Sequence, residues 1–248
     1  MAVDRTLWAA SFSDALPHWP CPTCGKGFLA IAPKDLIIKE TGPSNAAHAH
    51  EAWDPDWIEN RFVGMLECSL PACKELVTVS GTSSIAQYLV DWDEYITTDL
   101  FKVEMLSPAP MAISCPDATP QPIVEALANA SMLIWSSPES AANHIRQSVE
   151  ALITDAGIPN QTASGGFKSL HNQILEFQKA DKENGDVLLA TKWLGNSGSH
   201  VGGIGLDEVL DAFDMIEFVL ENRYGTIKSD LMAKVAAVNA AKGPVKKS

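Results

Sequence analysis

The sequence predicts an α+β protein, with a small β module over residues 1–118 and an all-α bundle over residues 119–232. Three observations carry this. Two close cysteine pairs, Cys21/Cys24 and Cys68/Cys73, are each followed by apolar runs of strand character. A proline-rich stretch around Pro116 and Pro120 breaks the chain, as domain boundaries do. Beyond it, apolar residues recur at helical spacing. Residues 233–248 read as a loosely ordered basic tail.

Within the β module, residues 1–18 are irregular, with Trp8 and Phe12 as anchors. Phe28–Ile31 and Leu36–Ile38 read as two short strands interrupted by Ala32-Pro33-Lys34-Asp35. Thr41-Gly-Pro-Ser-Asn-Ala46 reads as a loop, and Glu51–Ile58 as a short turn or helix. Arg61–Cys68 is a strand returning to the second cysteine pair, and Glu75–Gly81 another, rich in β-branched residues. Residues 83–120 give a weaker signal: Gln87–Val90 is a strand candidate, and Ser107–Met111 is extended.

Five helices follow. The first spans Ile123–Trp135. Ser137-Pro138-Glu139 starts the second with a hydroxyl cap, proline at the first helical position and an acid in the first turn. It stops at Gly157 and places Ile145, Val149 and Leu152 on one face. Ser169 caps the third, which runs to about Ala180. The fourth covers Asp186–Leu194 and stops at Gly195. The fifth starts near Leu206, with Leu210, Phe213, Ile216, Leu220 and Tyr224 on its apolar stripe.

The chain has 248 residues, 46% hydrophobic and 20% charged, as expected of a globular protein. No stretch approaches the ~20 apolar residues of a membrane helix. The first residues lack a secretory layout, and a cytoplasmic location with reduced thiols is the expectation. The formal net charge is −13. Residues 1–115 hold 15 acidic against 7 basic groups and residues 116–232 hold 16 against 7, with only the tail basic. Such a surface repels a polyanion, so generic duplex binding is disfavoured, including through the cysteine module. A local contact with a nucleotide or an RNA end stays open.

Cys21-Pro-Thr-Cys24-Gly25 suits a thiolate-bound zinc, because proline stiffens the loop and glycine lets backbone N–H groups turn towards the sulfurs. Cys68 and Cys73 have four residues between them, wider than the commoner two. With strands after each pair, the arrangement is zinc-ribbon-like. One structural zinc on Cys21, Cys24, Cys68 and Cys73 is the expected cofactor. Free thiols and a disulfide remain alternatives, and four thiolates leave no open position for a catalytic ion. Cys115 stands alone and reads as a buried small apolar residue. His48 and His50 form either a second candidate metal site or, the favoured reading, a solvated loop.

Lys192-Trp-Leu-Gly-Asn-Ser-Gly-Ser-His200 is the most distinctive run in the helical half. A turn there places Asn196 and His200 against the polar face of another helix, with Arg146 and Glu150, one helical turn apart, as candidates for that face. The plainer readings are a surface Arg–Glu ion pair and a turn-stabilising histidine.

Arg146-x-x-x-Glu150, Ser169-Leu-His171, Trp193-Leu-Gly-Asn-x-x-x-His200 and the Asp207-x-Val-Leu-Asp-Ala helix together resemble the bacterial domain of unknown function numbered 4145, grouped with the HEPN superfamily of helical bundles. Trp19-Pro-Cys-Pro-x-Cys-Gly, Glu51–Phe62 and Cys68…Cys73 resemble the N-terminal half of its full-length members. The resemblance implies a HEPN-like bundle and a setting beside restriction or phage-defence systems. Many HEPN proteins are metal-independent ribonucleases with an Arg-x(4–6)-His motif, in which histidine assists attack by the ribose 2′-hydroxyl and arginine steadies the phosphate. Aligned on His200, this chain has Gly195 where that arginine should stand, and Lys192 lies too far back. Two functions follow as expectations. One is a non-catalytic binding or assembly module engaging a protein partner or a second copy of itself. The other is a dimeric endoribonuclease built on His200, Asn196, Arg146 and Glu150.

Overall fold

The computed structural model describes residues 3–91, 94–162, 164–197 and 203–244. It is mixed α+β, with an N-terminal antiparallel five-stranded sheet followed by helices. The chain divides into two compact units, residues 4–112 with 128–141, and residues 1–3 with 113–127 and 142–248.

In the first unit the strands are β1 (Phe12–Ser13), β2 (Leu29–Glu40), β3 (Glu59–Cys68), β4 (Leu76–Asp91) and β5 (Glu94–Ser107), ordered β1-β5-β4-β3-β2. The two short strands expected at residues 28–38 are one strand, whose pairing to β3 slips between Ile31 and Leu36. Ala32-Pro33-Lys34-Asp35 therefore sits in an irregularity of the ladder, where a missing proline N–H is tolerated. The Thr41–Ala46 segment, expected as a loop, holds helix α1 (Gly42–Ala47), with Thr41 Oγ1 accepting from the Ser44 N–H and Pro43 in the first turn. Pro55–Trp57 forms a single 3-10 turn.

Residues 83–107, weakly patterned in sequence, form the β4–β5 hairpin. Beyond Ser84, the last β4 residue paired to β3, the two strands pair only with each other. Their Tyr88, Leu89, Tyr95 and Ile96 are exposed there, so the in–out alternation that marks a half-buried strand is lost.

The core of this unit lies on one sheet face. Phe62, Leu66 and Cys68 of β3 alternate inward and meet Val77, Val79, Phe101, Val103 and Leu106. The irregular N-terminal segment covers them through Phe12, Leu16 and Trp19. Trp135 packs against the same cluster, stacks on Trp8 at 4.9 Å and donates its indole N–H to the Ala9 carbonyl. Trp19 likewise donates to the Leu7 carbonyl, so the indole N–H groups of Trp19 and Trp135 are both satisfied.

The remaining helices are α2 (Gln121–Met132), α3 (Pro138–Asp155), α4 (Leu170–Phe177), α5 (Lys182–Ser197), α6 (Leu206–Tyr224) and α7 (Ile227–Ala241). In the second unit Ile145, Val149 and Leu152 of α3 are fully buried, as the spacing predicts. Val209, Leu210, Phe213, Ile216 and Leu220 of α6 are buried with them. Ser169 caps α4 by accepting from the Asn172 N–H. The stretch after residue 232, read as a loose tail, continues α7 to Ala241 on exposed residues. No described helix is long and apolar enough to cross a membrane.

Trp19 is fully buried at the centre of its cluster. Trp19→Ala is expected to cost about 3–5 kcal/mol, read as a lowered urea midpoint with loss of near-UV signal.

Candidate functional site

The sheet register brings the two cysteine pairs together. Leu29, the first residue of β2, pairs with Cys68, the last of β3, so the loop before β2 lies beside the β3–β4 turn. Each pair forms a tight knuckle. The Gly25 N–H bonds the Cys21 carbonyl at 3.0 Å, and the Cys73 N–H bonds the Leu70 carbonyl at 2.9 Å. The residue after each second cysteine has positive φ, Gly25 at 60° and Lys74 at 52°. Backbone N–H groups then point at sulfur: Gly27 at Cys24 and Leu70 at Cys68, both at 3.4 Å.

The four sulfurs lie within 4.8 Å of one another. Cys21 and Cys73 are 3.8 Å apart at sulfur, as are Cys24 and Cys68. A disulfide needs about 2.05 Å, so these are not bonded pairs. A tetrahedron with metal–sulfur bonds of about 2.3 Å has edges of about 3.8 Å, so the set is compatible with a zinc site. The Gly27 N–H first, then that of Lys26, lowers the Cys24 thiol to about 6. At Cys73 the Glu75 N–H pulls downward, but desolvation and the other three sulfurs outweigh it and raise the thiol to about 12. Crowded sulfurs resist sharing negative charge, and a bound cation relieves that repulsion.

Gly27 is a requirement that the motif alone does not reveal. A Cβ there would lie 2.5 Å from the Cys68 sulfur and 3.1 Å from the Leu70 Cβ.

The other candidates fall out differently. Among the described residues the cysteines are the only cluster with metal-ligand geometry. His48 Nε2 pairs with Glu40 at 2.8 Å and its ring lies on Trp53, while His50 Nδ1 accepts the Ala52 N–H. Cys115 is partly buried, and desolvation first, then the Glu217 charge, push its thiol up to about 11.

In the helical unit Arg146 and Glu150 form an ion pair at 2.8 Å along α3. Asn196 lies in the last turn of α5, and His200 lies outside the described residues. Gly195 does not stop α5, which continues to Ser197. It marks close packing instead: a Cβ there would sit 3.2 Å from the Ala142 carbonyl oxygen and 3.3 Å from the Arg146 Cβ. Beside this crossing, Arg146, Glu150, Asn160, Phe167, His171 and Lys192 line a cleft of about 470 Å³. Phe167 carries no motif, and its only signal in the sequence is a bulky apolar residue placed after Gly165-Gly166.

Residues 10–108 match the domain of unknown function DUF8608. Residues 128–241 match the domain of unknown function DUF4145. Both halves thus resemble families of unknown function. The N-terminal half, which the motif resemblance attached to the same family as the helices, has a family model of its own. No curated protein and no solved structure matches the chain.

Two outcomes follow from this geometry. Gly27→Ala is expected to release the metal, seen as at least tenfold weaker zinc retention against a chelator, and acidification does the same by protonating thiolates. Glu150→Ala is expected to shift stability by only about 0.5 kcal/mol, because the ion pair is half-exposed.

Proposed function

We propose that the chain is a zinc-stabilised, non-catalytic binding or assembly module, with a zinc-ribbon-like first unit and a HEPN-like second unit. Its setting, by resemblance, is bacterial restriction or phage defence, and its partner is another protein or a second copy of the chain. The supporting observation is the packing at Gly195. The position where a HEPN ribonuclease places its arginine is pressed so closely on α3 that a side chain there would meet the Ala142 carbonyl at 3.2 Å. Zinc held by four thiolates has no open position for substrate or water, so it acts as scaffold. In so small a β module, metal-binding energy adds to folding energy.

One observation favours a second reading, a HEPN-type endoribonuclease. Arg146 packs its Cβ and Cγ at 3.3 and 3.8 Å from a Cβ built at Gly195, so α3 sets an arginine beside the motif position. His200, with Asn196 nearby in sequence, would then act as general base, Arg146 would steady the phosphate, and Glu150 would orient Arg146.

Purified protein is expected to carry about one zinc per chain, and chelation to unfold mainly the first unit. It is expected to leave single-stranded RNA intact, with wild type and His200→Ala indistinguishable. RNA cleavage that His200→Ala abolishes would replace the module reading with the ribonuclease. A metal-free but fully folded protein would remove the zinc.

A further inference from the structure

The cleft beside the α3–α5 crossing is lined by two cations, Lys192 and Arg146. Lys192 is only 8% exposed. Its ammonium lies 3.5 Å from the centroid of the Trp193 ring, and among the described residues no carboxylate pairs with it. The buried part of this residue is its stem, and its ammonium is set at the lining of the cleft over an aromatic face. Arg146 lines the same cleft, and its one ion pair leaves guanidinium N–H groups for another acceptor. The His171 ring lies 5.7 Å from the Trp193 ring.

In a chain with a net charge of −13, a cavity lined by Lys192, Arg146 and His171 with one carboxylate, itself engaged by Arg146, is a local reversal of sign. Phosphate suits such a cavity, because lysine serves as a point charge and arginine as a planar fork. At its rim Phe167 is 84% exposed. The turn that presents it is closed by a bridge between Gln161 and Phe167 and by Thr162 Oγ1 accepting the Gly166 N–H. A phenyl ring held in water beside an anion site is a stacking platform for a base.

We propose that this cleft binds a nucleoside monophosphate, with the phosphate on Lys192 and Arg146 and the base on Phe167. The inference rests on reading the helical unit as a binding module and names its ligand class. The volume of about 470 Å³ lies within the ~300–1,000 Å³ of small-molecule sites.

Isothermal titration of the full zinc-loaded chain tests it, with adenosine monophosphate, inorganic phosphate and adenosine as probes. Adenosine monophosphate is expected to bind most tightly, phosphate more weakly and adenosine weakest. Lys192→Met is expected to weaken both phosphate-bearing probes at least tenfold. Phe167→Ala, at an exposed position, is expected to weaken adenosine monophosphate about tenfold and leave phosphate unchanged. If Lys192→Met does not fold by circular dichroism, Arg146→Met carries the same expectation. Absence of saturable binding to wild type at millimolar probe, or binding indifferent to both cation variants, overturns the proposal. Equal weakening of phosphate and nucleotide by Phe167→Ala overturns the base assignment. The RNA assay reads separately: binding lost with RNA left intact removes the ligand and spares the module, whereas His200-dependent cleavage with binding retained does the reverse.

Discussion

The first unit depends on four sulfurs held close at one end of a sheet. Cys21 and Cys68 are buried among core residues, and their partners Cys24 and Cys73 pack against the same cluster. Four thiols this close repel as they ionise, and the Cys73 thiol is pushed up by desolvation and by the other three sulfurs while backbone N–H groups hold Cys24 down. A cation at their centre would relieve that repulsion. It would tie the loop before β2 to the β3–β4 turn, two segments already joined by the Leu29–Cys68 pairing and by backbone bonds such as that from the Ser69 N–H to the Phe28 carbonyl.

The constraint spreads outward from there. Gly27 has no side chain because the Cys68 sulfur occupies its place. Trp19, two residues before Cys21, is fully buried, and its edge meets Phe12 and Trp135. Trp135 lies far along the sequence, just before α3, yet belongs to the first unit. The sheet therefore completes its core with a residue from the helical half of the sequence, which a boundary drawn at the proline-rich stretch does not convey.

In the second unit α5 approaches α3 closely at Gly195, where a Cβ would sit 3.2 Å from the Ala142 carbonyl oxygen. The same crossing sets Lys192 one turn earlier on α5, in a cleft with Arg146. Two cations, Lys192 and Arg146, lining one cleft in an acidic chain are the physical basis of the binding proposal.

Much of this was legible in the amino-acid order. Local chemistry determined the mixed class, the cysteine knuckles, the proline-led start of α3, the capped start of α4, and the buried stripes of α3 and α6, because hydroxyl caps, prolines and apolar periodicity act within a few residues. The β4–β5 hairpin beyond Ser84 was not legible, since neither of its faces is consistently buried. Nor was the role of Gly195: a glycine near a helix end reads as a stop, and only the distance to Ala142 shows it to be a contact. Which sulfurs sit edge to edge, why Gly27 must be bare, and that Phe167, His171 and Lys192 share one cleft were decided by tertiary structure. Each depends on residues far apart in the chain meeting at van der Waals distance, and local propensity carries no record of that.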